Sequence, residues 1–514
     1  MHHYIKKSLF IVAAGCFLAV PSCTKLDTPP QSELTEDLFP KTPSDFISLT
    51  GPVYTALRAY PENIWNPQEA GTDEMTAPTR GSDWGDGGKW RNMHYHTFNP
   101  NIDLMNGAWT WGFGGIATTN NIISIVKGTP VSPERDLSLA ELQTMRAFYY
   151  FFMMDMYGNI PIIMDSTKSA SPPTRPRTEV WNFIVSDLTT ALPLLSTKVD
   201  QSTYGRPTKY LAEMLLAKLY VNASVYIGTP KLNEADDVLT DLMKSGKYSL
   251  EGNALAMFRP DNGPQVTEAI FSIPFDATLA TGANHFATRT LHGANRATYN
   301  LPYDPWNGFC TLANFYDSYA ATDSRSNQWL IGPQKSATGD QLMDGNFPVS
   351  FTKTLARPDP ADVFNVGGDG PGRSSGVRNV KYYPDSKANS STRTQNNDYI
   401  VFRLSDAVLM KAEVELRKGS PVSSATLTEL NRIRSRAGVA PYTSATLDLN
   451  ELYNERGREF SWEAWRRNDM IRFGHWEDAF GFNPGTPGQT YKRIFPIPSG
   501  QLAINSGLVQ NAGY

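Results

Sequence analysis

Glu455-Arg456-Gly457-Arg458-Glu459-Phe460-Ser461-Trp462-Glu463-Ala464-Trp465-Arg466-Arg467-Asn468-Asp469-Met470-Ile471-Arg472-Phe473-Gly474 mixes charge and aromatic side chains more densely than any other part of the chain. Read as a helix, it places Glu455, Glu459 and Glu463 in an i,i+4 row, with Arg458, Arg466 and Arg467 near enough to pair with acids. Phe460, Trp462, Trp465, Met470 and Ile471 supply apolar surface. Pairs of this kind contribute tenths of a kcal/mol each when exposed. Three acids on one helix face cannot enclose a substrate from two sides. The spacing therefore predicts a structural helix pinned by arginine–carboxylate contacts.

Moving outward, the same helical period recurs at residues 45–60, 106–127, 138–157, 179–195, 207–226 and 233–245, and again at 404–418 and 424–437. Thr178 suits an N-cap, Pro207 a first helical position, and Gly158 and Gly246 positions just past helix ends. Ala212, Ala217 and Ala223 would let neighbouring helices approach closely. Short connections between these segments predict helix hairpins like tetratricopeptide repeats, although no strict 34-residue consensus is present. Residues 61–105, 251–310, 332–398 and 481–514 are different. They are rich in Gly, Pro, Asn, Asp and Thr, with isolated aromatics and short β-like runs such as Ala269–Ile273. Loops of that length serve function more often than connection. The expectation is one mainly α domain over 41–514. Its helical scaffold would occupy about 41–60, 106–250 and 400–475, with a loop-rich binding region at about 61–105 and 251–398.

Composition narrows the function. A net charge of −4 over 514 residues, without a Lys/Arg block, disfavours nucleic acid and a polybasic membrane anchor. At the N-terminus, Lys6 and Lys7 precede an uncharged, mostly apolar run from Leu9 to Val20, and small residues lead into Cys23. That order is a secretory signal over residues 1–22, with an apolar run too short to span a bilayer. Cys16 leaves with the signal, so Cys23 and Cys310 remain, and no disulfide framework is available.

The helix block resembles the C-terminal signature of the SusD/RagB family of Bacteroidetes surface lipoproteins. Other segments agree in order along the chain. Cys23-Thr24-Lys25-Leu26-Asp27 to Pro30 resembles the family's lipidated start. Arg146-Ala147-Phe148-Tyr149-Tyr150-Phe151 through Pro161 is similar to its "RA…YF…YG…P" helix. Arg403-Leu404-Ser405-Asp406 to Glu413 is similar to its "LSEVYLMRAEA" helix. Phe495-Pro496-Ile497-Pro498 and Gln510-Asn511-Ala512-Gly513-Tyr514 resemble "PIP…QNPGY", with Ala512 in place of Pro. The resemblance implies four tetratricopeptide-like helical pairs carrying a variable loop region. It also implies a protein lipidated at Cys23, with residues 23–40 as leader, facing outward from the outer membrane. Such a protein captures an oligosaccharide or polysaccharide and passes it to a SusC-like TonB-dependent transporter. It is not an enzyme and uses no cofactor.

The binding residues follow from sugar chemistry. Sugars offer flat C–H faces and a rim of hydroxyls, which suit exposed aromatic platforms flanked by Asp, Asn or Arg. Asp73 with Arg80, Asp83, Trp84 and Trp90 is the densest such set, in a Gly-rich stretch; the alternative is that either tryptophan plugs its own loop. Tyr303, Trp306 and Asn307 form a second set. Arg378, in the polar strip 373–399, is a third candidate, for a bidentate fork to vicinal hydroxyls.

Other signals carry less. Gly367 to Ser374 is spaced like a phosphate loop but lacks the Lys, contains Pro371 and opens no predicted helix. His94 and His96 would share one side of a strand, yet no third ligand completes a metal site, and loop packing explains them better. Cys310 lacks an identified base. A glycoside hydrolase needs two carboxylates roughly 5–9.5 Å apart across the bond; Asp73, Asp83 and Asp86 are the acids available for that. Peptide capture, as in RagB relatives, is the remaining rival, and the loop tryptophans favour glycan over it.

Overall fold

In the computed structural model, residues 39–164, 171–355 and 362–514 are described. The signal segment 1–22, Cys23 and the leader up to residue 38 lie outside them. The longer helices are α1 (Pro43–Thr55), α2 (Asp103–Gly128), α3 (Pro133–Tyr157), α4 (Arg177–Ala191), α5 (Lys209–Val221), α6 (Leu232–Lys244), α7 (Leu404–Arg417), α8 (Ser424–Arg436), α9 (Leu449–Phe460) and α10 (Arg466–Phe473). The protein is mainly α. Helix starts carry side-chain caps: Thr42 and Asp45 form a capping box at α1, and Ser132, Ser423 and Asp448 each accept an amide N–H at α3, α8 and α9. Gly158 and Gly474 end α3 and α10 at positive φ. Two sequence expectations shift here. Thr178 is not a cap, because α4 begins at Arg177 behind Pro176, and Pro207 precedes α5 rather than opening it.

Helix α3 packs between α2 and α4, and α5, α6, α7 and α8 continue the stack in sequence order. Ala212, Ala217 and Ala223 are fully buried, and another close approach runs over glycine. A Cβ on Gly112 would lie 2.2 Å from Met153 Sδ, and one on Gly115 would lie 2.3 Å from the Tyr149 ring, so α2 and α3 meet over glycine. Residues Phe148 to Met154 of α3 are fully buried, and the cluster they join draws members from Phe46 to Ile497. Among the described residues no helix is long and apolar enough to cross a membrane.

Part of the expected loop region is scaffold. After α1 the chain runs on through turns at Ala56–Ala59, Pro61–Trp65 and Asn66–Glu69, with Pro61 and Pro67 each at the start of a new turn, where a missing N–H costs nothing. Residues 64–72 are buried. Strand β1 (Ala269–Ile273) pairs antiparallel with β2 (Tyr399–Arg403), with Tyr399 opposite Ile273 and Arg403 opposite Ala269. β2 is buried throughout and feeds directly into α7, which ties the loop region to the helices.

The helix block departs from expectation in two ways. First, it is two helices. α9 stops at Phe460, and Trp462 and Ala464 adopt φ +60 and +66, a left-handed backbone that L-residues hold only under external constraint. That constraint is visible. Glu74 accepts the Trp462 N–H at 2.9 Å, Glu69 accepts the Ala464 N–H at 2.6 Å, and Trp65 Nε1 donates to the Trp462 carbonyl at 2.8 Å. Glu463 therefore leaves the row and lies in the turn. Second, the acids are buried rather than exposed. Glu459 binds Arg325, Arg403 and Arg436; Glu455 binds Arg325, Arg434 and Arg458; Glu463 binds Arg403 and Lys381. Despite burial, the cations hold the Glu455 carboxyl down at about 2 and that of Glu459 well below its ordinary value.

Candidate functional site

Two of the predicted clusters, far apart in sequence, meet in space. The turn 80–88 folds on itself through reciprocal Arg80–Asp83 backbone hydrogen bonds, and Trp84, Asp86, Gly87 and Gly88 follow with positive φ. The segment 305–309 is pinned from below: Trp306 N–H donates to the Thr288 carbonyl at 2.6 Å, and Gly308 N–H to that of Arg289 at 2.7 Å. Asn307, with φ +57, turns the chain between them. The Trp84 indole then lies directly on Gly308, where a Cβ would come within 2.2 Å of the ring, and its Nε1 donates to the Trp306 carbonyl at 2.9 Å. Only glycine admits that ring. Phe309 supports both loop tryptophans, with centroids 5.3 Å from Trp84 and 5.0 Å from Trp90.

Trp306 is left at the surface, 39 % exposed, with the Arg393 guanidinium 5.1 Å from its ring centre and His285 edge-on at 5.9 Å. It divides two open clefts. One, of about 490 Å³, is walled by Glu62, Asp86, Lys89 and Arg289 with Trp84 and Trp90. The other, of about 410 Å³, is walled by Ser82, His292, Asn307, Asp344 and Arg373, with Arg80 at its base. Asp83, Pro305 and Trp306 line both. Two of the acids in the first cleft are held in place by other side chains: Glu62 pairs with Arg289, and Asp86 accepts Trp90 Nε1–H at 2.8 Å beside Lys89, while Asp83 accepts the Trp84 N–H at 3.0 Å. In the second, the Arg373 hydrogen bond keeps the Asp344 carboxyl below its ordinary value, and burial lowers the His292 imidazole.

The remaining candidates are placed otherwise. Arg378 offers no fork to a ligand: it is fully buried, and its guanidinium donates to the carbonyls of Ser375, Gly376 and Arg373 and to Asn307 Oδ1. Burial, with Arg80 adjacent, holds its pKa well below the usual arginine value. Arg80 is likewise committed to backbone carbonyls, at Gly372, Gly308 and Ser375. Tyr303 is 4 % exposed and packs in a small cluster with Leu291 and Leu301. Trp90 is 4 % exposed, so it acts as a wall and support rather than a platform. Asp73 belongs to a different hollow of about 260 Å³, where both its oxygens bind Arg466 at 2.7 Å. A turn-forming strip does border the second cleft, through Arg373 rather than Arg378.

Glu62, Arg289 and Asp344 were not legible as site residues. Each sits in a separate segment, and Glu62 meets Arg289 across 227 positions, so no local spacing could reveal them. His94 closes the short helix Lys89–His94, and His96 stacks on Trp476 at 4.0 Å; burial pushes their imidazoles down to about 3 and about 4. The Gly367–Ser374 stretch does open a helix, Gly370–Ser374, but a single turn whose amides are capped by Asp369, an acid where a phosphate would bind.

The family model described as "Starch-binding associating with outer membrane" matches residues 26–221, and the "SusD family" model matches residues 365–514. The "Starch-binding protein SusD" of Bacteroides thetaiotaomicron is 26 % identical over 409 residues, 73 % of this chain and 72 % of that protein. A "SusD-like protein" of Bacteroides ovatus is 25 % identical over 499 residues, 92 % of this chain and 83 % of that one. The solved structure of surface glycan-binding protein A from Bacteroides thetaiotaomicron in complex with laminarihexaose superposes with a TM-score of 0.72 at 19 % identity, covering 91 % of this chain and 99 % of that one. Two family models at opposite ends of the chain, relatives matched over most of their length and the shared fold lead to one conclusion: the chain belongs to the SusD/RagB family.

Proposed function

We propose that this protein is an outer-membrane glycan receptor, lipidated at Cys23 and facing the cell exterior. It would capture an oligosaccharide across the Trp306 ridge and pass it, uncleaved, to a SusC-like TonB-dependent transporter. The observation that carries the reading is Trp306 itself. A large, half-exposed indole held rigid from below and flanked by two polar, open clefts is a platform for a sugar face with hydroxyl partners on either side. Relatives whose names specify starch or glycan binding support the choice of ligand class. Of the first cleft's three acids, Glu62 and Asp86 are engaged with Arg289, Lys89 and the Trp90 indole, and Asp83 accepts the Trp84 N–H, which favours positioning over acid–base work.

Affinity electrophoresis of the mature protein against a polysaccharide panel tests this. Retardation by at least one glycan, lost in Trp306→Ala at unchanged melting temperature, is the expected result. Retardation that survives the substitution would move the site elsewhere, and release of reducing sugar would replace binding by hydrolysis.

A further inference from the structure

The two clefts beside Trp306 differ in charge. The first holds three acids (Glu62, Asp83 and Asp86) against two cations (Lys89 and Arg289). The second holds Asp83 and Asp344 against Arg373 and Arg80, with Arg378 immediately beneath, hydrogen-bonded to Asn307 of its wall. Arg80 and Arg378 are 3 % and 0 % exposed, and among the described residues neither makes an ion pair with a carboxylate. Their Nη groups are met by backbone carbonyls and Asn307, which satisfy hydrogen bonds but not charge; the Cys310 thiol lies beside both, Asp83 acts on Arg80 without pairing with it, and among the described residues both buried Nε atoms lack a hydrogen-bond partner. Elsewhere the buried arginines of this protein are matched by acids, as Arg325, Arg403 and Arg456 are. Two desolvated cations without a paired carboxylate are costly and project a positive potential into the nearest solvent-filled space. That space is the second cleft. At its surface Arg373, whose side chain is 39 % exposed, gives Nε to Asp344 at 2.5 Å and Nη1 to the Gly368 carbonyl, and among the described residues Nη2 makes no hydrogen bond.

We propose that the second cleft takes an anionic substituent of the glycan, a carboxylate or a sulfate ester, with Arg373 as its direct partner and Arg80 and Arg378 as a buried positive floor. The first cleft then takes neutral sugar units. This inference rests on the glycan-binding reading, and the experiment keeps the two apart.

The test uses matched polysaccharides: laminarin, pullulan and dextran, each compared with its sulfated and its carboxymethylated derivative, by affinity electrophoresis and calorimetry. The expected result is that at least one derivative binds about tenfold or more tighter than its parent at low salt. The gap should shrink between about 0.05 and about 0.5 M NaCl, as screening requires. The sulfated and carboxymethylated arms show which anion is preferred. Arg373→Gln should abolish the preference. Asp344→Asn, which removes the competing acid, should widen it and so guards against a result caused by misfolding. Equal binding of parents and derivatives, or a preference unmoved by both substitutions, overturns the anionic cleft and leaves glycan binding standing. Failure to bind any parent or derivative overturns glycan binding and the anionic cleft with it.

Discussion

Residues 455–474 and residues 80–91 are written in the same alphabet of Trp, Arg, Asp or Glu and Gly, yet they do opposite things. In the first, every acid meets cations in the interior: Glu459 alone binds Arg325, Arg403 and Arg436. In the second, Asp83 stays exposed, Trp84 is half-buried, and the loop ends against an open cleft. The difference lies in what the rest of the chain sends to meet each segment. The block receives arginines from residues 325, 403, 434 and 436 and the acids Glu69 and Glu74. The loop receives the backbone of 305–309 on one side and the 362–375 segment on another, and otherwise faces the open clefts. Composition marks both as special; long-range partners decide which is core and which is surface.

The comparison breaks most sharply in the buried network. Glu459→Gln leaves three guanidiniums sharing one lost charge, and removal of one member of a buried ion pair costs about 3–5 kcal/mol. Urea unfolding should show that loss, with glycan binding of the folded fraction unchanged. A cost below about 1 kcal/mol would make the network ornamental.

Within the same network, Glu69 shows what happens to a buried acid that lacks its own cations. Burial pushes its carboxyl up to about 8, and Glu74 is also raised, whereas Glu455 among arginines sits at about 2. The signs are opposite. Glu455, depressed from about 4.3 in the unfolded chain, contributes stability above that value, and the contribution is lost as pH falls towards about 2. Glu69 is raised, so its neutral form is favoured by folding, and stability declines as pH rises from about 4.3 to about 8. Melting temperature measured across that window should fall towards the alkaline side, and Glu69→Gln should flatten the decline. A Glu69→Gln profile parallel to the wild type would remove Glu69 as its source.

How much of this was legible follows from the same contrast. The helices were readable because their signal is local: apolar spacing, and glycines such as Gly158 and Gly246 at positive φ just past helix ends, whereas the cap expected at Thr178 is not one. Pairing of the 80–91 and 303–310 sets as one site was not, because it depends on Trp84 reaching Gly308 across 224 positions. Trp306 and Asp83, both named from the sequence, line both clefts. Arg378 misled because an arginine in a Gly-rich polar strip looks solvent-facing, whereas backbone carbonyls of its own loop, at 375 and 376, enclose it. The break at Phe460 was hidden for a related reason. Nothing in Ser461 to Ala464 forbids a helix; Glu69 and Glu74, from elsewhere in the chain, hold the turn.

Gly308→Ala sharpens the surface side of the comparison. The added methyl would sit 2.2 Å from the Trp84 indole, which must move. Overpacking of this kind costs about 1–3 kcal/mol. Because Trp84 Nε1 also holds the Trp306 carbonyl, glycan affinity should fall although no aromatic has been removed. Crystallography or Trp fluorescence would detect the displaced ring. Wild-type fluorescence with wild-type affinity would mean the ridge does not depend on that contact.

Trp306→Ala should have the smallest effect on the fold and a large one on recognition. The ring is 39 % exposed and touches the protein mainly through Arg393 and His285, so its loss should change unfolding free energy by less than about 0.5 kcal/mol, as for most surface substitutions. Truncating a central aromatic anchor, by contrast, costs about 2 kcal/mol of binding or more, roughly a thirtyfold weakening. Trp462→Ala supplies the counterpart from the buried block: a ring 1 % exposed, with its backbone N–H bound to Glu74, should cost about 3–5 kcal/mol of stability. Two tryptophans in similar sequence surroundings would then differ in opposite directions on the two measurements. If Trp306→Ala instead lowered the melting temperature as far as Trp462→Ala does, the ridge would be core, and the distinction between the two segments would fail at its most exposed residue.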